Sequence, residues 1–110
     1  MATKDPREPF TRITVDEAKA MIGEGAAVID VREPHEYTAG HVPGAALIPV
    51  NSVYARREEL PKDQDVIFVC AIGQRSALGA EMAAAAGLTR LFNLEGGTEA
   101  WVSSGETVEK

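Results

Sequence analysis

Val66-Ile67-Phe68-Val69-Cys70-Ala71-Ile72-Gly73-Gln74-Arg75-Ser76 decides the reading of this chain. Asp65 to Val69 predicts a strand, and its apolar, β-branched run suits one buried on both faces; it leads straight into Cys70. From Arg75 to Ala86 the pattern turns helical, with Gly87 as the stop. That helix is apolar nearly all round, which predicts a packed one whose alanines allow close approach to a sheet. A buried strand, a tight glycine-containing loop and a helix make one unit of an α/β domain.

The same alternation extends outward in both directions. Ala27-Val28-Ile29-Asp30-Val31, Ala45 to Ile48 and Leu91-Phe92-Asn93-Leu94 are further strand segments. Thr14-Val15-Asp16-Glu17 has the form of a capping box, with Ala18, Met21 and Ile22 following at helical spacing and Gly23 or Gly25 as the stop. Glu33 to Tyr37 predicts one helical turn with Pro34 in its first positions. A short helix is expected over Val53 to Leu60. Gly96-Gly97 predicts a turn, Glu99-Ala100-Trp101-Val102 starts a last helix, and the polar tail from Glu106 to Lys110 is expected to fray. The fold class is therefore α/β with a mainly parallel sheet.

Composition bounds the function. With 110 residues, 45% of them apolar, residues 1–110 read as one domain; the motif-bearing core covers about 13–108, between a flexible N-terminal lead and the tail. The single cysteine excludes an internal disulfide framework and a multi-cysteine zinc site. Eleven basic residues against 17 acidic ones give a net charge of −6, which argues against nucleic acid and anionic membranes as partners. No apolar run reaches the length of a bilayer span, and the first residues lack the apolar stretch of a secretory signal. A lone thiol without an export signal points to the cytoplasm. No metal or cofactor is expected.

An anionic substrate would then need a locally positive site, and the loop after Cys70 offers one. Ligands of open α/β sheets bind beyond the carboxyl ends of the strands, where Cys70 falls. The amides of Ala71, Ile72, Gly73, Gln74 and Ser76 lie where a loop curls into a helix N-terminus, an arrangement that favours negative charge. Gly73 permits the curl, and Arg75 adds a cation. Such surroundings lower the pKa of a thiol and make its thiolate a nucleophile. From Cys70 to Arg75 the loop has six members, one fewer than the Cys-x5-Arg ring of tyrosine-phosphatase-type sites. A smaller ring suits a sulfane sulfur better than a tetrahedral phosphate.

These residues resemble the rhodanese (thiosulfate sulfurtransferase) family. Asp30-Val31-Arg32-Glu33-Pro34, Glu36-Tyr37, Gly40-His41-Val42-Pro43-Gly44-Ala45 and Ile48-Pro49 are similar to its first motif block. Cys70-x-x-Gly73-x-Arg75-Ser76 is similar to its active-site loop, and Leu94-Glu95-Gly96-Gly97, Ala100-Trp101 and Gly105 to its C-terminal motif. The resemblance implies a rhodanese-like three-layer domain, with a central, mainly parallel sheet of about five strands flanked by helices, and a double-displacement sulfurtransferase. Cys70 would take a sulfane sulfur from a small anionic donor such as thiosulfate, carry it as a persulfide, and pass it to cyanide, a cellular thiol or a protein acceptor. Arg75 would orient the donor and hold the loop, while the loop amides cradle the sulfur. Ala71 and Ile72 are apolar where many members carry a basic or polar residue, which leaves room for a less charged donor.

Other polar residues read as structural. His41 reads as pinning its loop rather than as a partner of Cys70, and Trp101 as core. Asp30 and Arg32 read as an ion pair near a strand end that holds the fold and shapes the field of the site. Glu33, Glu36, Glu58 and Glu59 read as solvated faces. Two other functions compete with sulfur transfer. A binding-only module would not need the Cys70-Gly73-Arg75 set, and a phosphatase or reductase is disfavoured by the short loop and the missing resolving thiol.

Overall fold

The computed structural model describes residues 2–110. Its elements run β1 (Thr3–Lys4), β2 (Thr11–Ile13), α1 (Val15–Gly23), β3 (Ala27–Asp30), α2 (Pro34–Ala39), β4 (Ala46–Leu47), β5 (Val66–Val69), α3 (Gln74–Ala85), β6 (Leu91–Leu94) and α4 (Gly97–Ser103). The strands form one sheet in the order β1-β2-β6-β5-β3-β4. Every pairing is parallel except β1 with β2. The expected mainly parallel α/β sheet is present. It has six strands rather than about five: beyond the four segments read from the sequence, Thr11–Ile13 pairs with β6, and Thr3–Lys4 adds a short antiparallel edge in the stretch expected to be a flexible lead.

β5 is the sheet's centre, and its four residues are buried on both faces. Strand alternation divides them between two cores. Val66, Phe68 and the following Cys70 face one side, with Val31, Val53, Ala80, Ala83 and Leu91; Ile67 and Val69 face the other, with Ile13, Ala18, Val42, Leu94 and Trp101. Register aligns Asp30 with Val69 and Phe68 with Asn93. The chain leaving β3, β5 and β6 therefore emerges at one edge of the sheet, carrying Arg32, the Cys70 loop and the Gly96-Gly97 turn.

The helices follow their local signals. Thr14 and Glu17 form the capping box of α1, and Pro34 occupies the first turn of α2. α3 presents Ser76, Gly79, Ala80 and Ala83 to the sheet. A side chain at Gly79 would begin 3.3 Å from Val31 and 3.4 Å from Phe68, so the small residues here set how closely the helix lies. α3 is not packed all round: Leu78 and Glu81 face outward, because no layer covers that side.

Two expectations are corrected here. Val53 to Leu60 is not one helix; short 3-10 turns occupy Val50–Ser52 and Arg57–Glu59, with turns between them. The C-terminal tail is tied back rather than frayed. Glu109 and His41 exchange backbone hydrogen bonds of 2.9 Å in both directions, and the Trp101 indole donates to the Thr107 carbonyl at 2.8 Å. Trp101 is core, as expected.

Phe68 sits at the middle of the central strand with no exposed surface. Phe68→Ala should destabilise the domain by about 3–5 kcal/mol, read as a lower midpoint in urea unfolding at unchanged slope.

Candidate active site

Cys70 is the first residue beyond β5, and it is almost wholly buried. The chain then turns sharply through Ala71 and Ile72 to Gly73, whose φ of +104° is the left-handed conformation that glycine adopts without strain. α3 begins at Gln74, so the loop curls around the sulfur at a helix N-terminus. The Gly73 amide donates to Cys70 Sγ at 3.0 Å and the Ser76 hydroxyl donates at 3.4 Å. Burial pushes the Cys70 thiol up, but hydrogen bonds from the Ser76 hydroxyl and from the amides of Ser76, Gly73 and Ile72 outweigh it. The net effect holds the thiol below its ordinary value, the direction the loop sequence implies.

A second layer fixes this cradle. Asn93 on β6, fully buried, donates to the Gly73 carbonyl at 3.1 Å, and its Oδ1 lies 2.5 Å from the Ser76 oxygen, sharing that hydroxyl's one proton with Cys70 Sγ. It also donates to the Glu95 carboxylate at 3.1 Å. One amide side chain thus holds both ends of the turn that presents the donors. Sequence reading passed over Asn93 as an ordinary strand residue. The signal available was an asparagine in an apolar strand, where that residue type is depleted.

The other side of the loop is held by α4. The Thr98 amide donates to the Cys70 carbonyl at 2.8 Å and the Glu99 amide to the Ala71 carbonyl at 3.1 Å. Gly97 lies against these carbonyls so closely that an added Cβ would fall 2.4 Å from the Cys70 oxygen. Ala71 therefore serves the loop through its carbonyl, while Ile72 stands half-exposed and Gln74 is exposed.

Arg75 does not stand as a free cation. Its guanidinium makes a two-pronged ion pair with Glu36 on α2, at 2.8 and 2.9 Å. Glu36 is therefore no solvated face: the Arg75 hydrogen bonds, with one from the Glu33 amide, hold its carboxyl at about 2. Glu33 and Glu58 are exposed, and Glu59 pairs with Arg56 at the surface. The Asp30–Arg32 pair is present and buried. Arg32 Nε and Nη2 lie 2.8–3.1 Å from the Asp30 carboxylate, the Arg32 amide adds a bond of 3.0 Å, and Nη2 also reaches the Gly40 carbonyl at 2.8 Å. A buried carboxylate needs this many donors to offset its lost hydration.

His41 has no contact with the sulfur. Its Nδ1 lies 2.8 Å from the Tyr37 carbonyl and its ring stacks on Tyr37 with centroids 3.7 Å apart. Among the described residues, no three His, Cys, Asp or Glu side chains group in a way that could hold a metal ion.

A groove of about 560 Å³ opens beside the loop between α2 and α4, walled by Arg32, Glu36, Ala71, Thr98, Glu99 and Val102. Its position at the carboxyl edge of the sheet is that of a substrate cleft.

A sequence profile of the Rhodanese-like domain matches residues 14–104. The chain belongs to the rhodanese family. It is 36% identical over 104 residues to the thiosulfate sulfurtransferase GlpE of Pseudomonas entomophila (strain L48), covering 91% of this chain and 94% of that protein. It is 35% identical over 82 residues to a sulfurtransferase of Allochromatium vinosum, covering 74% of this chain and 77% of that one. Among solved structures, the crystal structure of a rhodanese-related protein from Thermoplasma volcanium matches with a TM-score of 0.82 and 30% identity, over 89% of this chain and 96% of that one. These relatives support a sulfurtransferase kind of function. No helix among the described residues is long and apolar enough to cross a membrane.

Ser76→Ala removes a hydrogen bond that favours the thiolate, so the thiol pKa of this rhodanese-like domain should rise. The pH profile of Cys70 alkylation by iodoacetamide should move upward by about one pH unit. An unchanged profile would show that the backbone amides alone set the pKa.

Proposed function

We propose that this domain moves a sulfane sulfur from a donor such as thiosulfate to a thiophilic acceptor through a persulfide on Cys70. The observation that carries this reading is the buried Cys70 Sγ held by the Gly73 amide and the Ser76 hydroxyl. Donors placed this way stabilise the Cys70 thiolate that attacks in the first half-reaction and leaves in the second.

In the first half-reaction the Cys70 thiolate attacks the outer sulfur of thiosulfate. A new sulfur–sulfur bond forms, the bond to the sulfite group breaks, and sulfite leaves with the electron pair. The products are sulfite and a Cys70 persulfide anion, so charge and atoms balance. In the second half-reaction cyanide or a thiolate attacks the outer sulfur of that persulfide, and Cys70 leaves as the thiolate. A cytoplasmic setting suits the free thiol.

Arg75 enters as a positioning residue. Its pair with Glu36 ties the start of α3 to α2 and so keeps the loop amides aimed at the sulfur. The cation's service to an anionic donor is then indirect, through the loop.

Mass spectrometry after incubation with thiosulfate tests the transfer. Cys70 should gain one sulfur atom that cyanide removes, and Cys70→Ser should gain none. An unmodified Cys70 after every sulfane donor tried would sink the reading. For the ion pair, Arg75→Ala and Glu36→Ala should each lower kcat, and the double variant should lose little more than either alone. Fully additive losses would mean the two residues act separately.

A further inference from the structure

Ser76 has one hydroxyl proton and two acceptors for it. Asn93 Oδ1 lies 2.5 Å from the hydroxyl oxygen, and Cys70 Sγ lies 3.4 Å from it. Which way that proton points decides whether the sulfur receives a side-chain hydrogen bond in addition to its amides.

The partners of Asn93 fix its orientation. Its nitrogen lies 3.1 Å from the Gly73 carbonyl and 3.1 Å from the Glu95 carboxylate, and both of those groups only accept. The amide nitrogen therefore faces them, and the amide oxygen faces Ser76. An amide that donates to a carboxylate becomes a stronger acceptor at its own oxygen, because hydrogen bonds in a chain polarise one another. Arg12 on β2 holds Glu95 in place: its Nη1 donates at 2.9 Å to the same carboxylate oxygen that Asn93 uses, and the rest of its guanidinium grips Glu8. One line of hydrogen bonds thus runs from a partly exposed ion pair, through a buried amide and a buried hydroxyl, to the sulfur.

We infer that Glu95 is a positioning residue for Cys70: through Asn93 it draws the Ser76 hydroxyl proton away from the sulfur, and so restrains the support that Ser76 gives to negative charge there. No proton is transferred along this line; the hydroxyl keeps its hydrogen and turns. It points to Asn93 while Cys70 is a neutral thiol, and it swings toward Sγ when the thiolate forms. In the proposed reaction the same swing supports the Cys70 sulfur as it leaves. That consequence rests on the persulfide reading, whereas the positioning itself does not. The other charges around the loop belong to separate elements. Arg75 of α3 is bound to Glu36 of α2, Arg32 after β3 to Asp30, and Glu33 before α2 and Glu99 on α4 stand exposed.

Glu95→Gln tests the line while leaving those charges unchanged. The variant keeps an oxygen to accept from Asn93 and Arg12, and it loses the charge that strengthens the pull. The pH profile of Cys70 alkylation by iodoacetamide should move downward by about half a pH unit, a roughly threefold gain in thiolate below the midpoint. In the Ser76→Ala background the same change should move the profile by less than about 0.1 unit, since the line is cut. In about 0.5 M salt the shift should persist when Ser76 is present, because screening removes the direct field of an exposed charge and not a hydrogen-bonded contact. Three results each overturn the inference: an unmoved profile, an equal shift with and without the Ser76 hydroxyl, or a shift that salt abolishes. The last two assign the effect to the direct field of Glu95. The salt measurement needs no change at buried Ser76, so it decides the matter even where Ser76→Ala does not fold. Alkylation needs no sulfur donor, so a protein that forms no persulfide overturns the proposed function and leaves this test intact.

Discussion

A sulfur atom at the end of a buried strand can hold negative charge only if hydrogen bonds replace the water it has lost. Cys70 meets that condition through the loop that follows it. The Gly73 amide and the Ser76 hydroxyl reach Sγ because the chain reverses at a left-handed glycine and enters a helix at once. The reversal is held from both sides, by Asn93 on the neighbouring strand and by the amides of Thr98 and Glu99 at the start of α4. The parallel sheet supplies the shared edge on which these three segments meet.

This construction also explains how an acidic chain can serve a charged sulfur. Its net charge is −6, and the cations near the loop are paired: Arg75 with Glu36, Arg32 with Asp30. Charge stabilisation at Cys70 therefore comes from short-range dipoles rather than a positive field. Amide dipoles act over the length of a hydrogen bond, so they favour a charge at one atom without attracting anions in general. The arginines contribute rigidity. Arg75 ties α3 to Glu36 on α2, 39 positions earlier, and Arg32 ties the end of β3 to the Gly40 carbonyl, which keeps the dipoles pointed where they are needed.

The fold was legible because its signals are local. The buried run of β5, the Thr14-Glu17 capping box and the proline at the start of α2 each act within a few residues. The Cys70 loop was legible for the same reason. What escaped reading were partnerships across long separations. Glu36 looks like a solvent-facing helix residue until α2 is laid beside Arg75, 39 positions later. Asn93 looks like an interruption of a strand until register sets it opposite Phe68, next to the loop. The tail looks free until Glu109 pairs with His41. The stretch from Val53 to Leu60 failed differently: Val53 and Leu60 are buried, but the residues between break into tight turns rather than one continuous helix.

The solitary thiol gains meaning from this geometry. A persulfide on Cys70, within the reading proposed here, has no second cysteine in these 110 residues to attack it. It cannot close to an internal disulfide, so the outer sulfur waits for an acceptor that arrives from outside. Selectivity must then reside in what reaches the loop rather than in the chemistry of the loop itself. The amides cannot discriminate among acceptors, since they touch only the sulfur that stays behind.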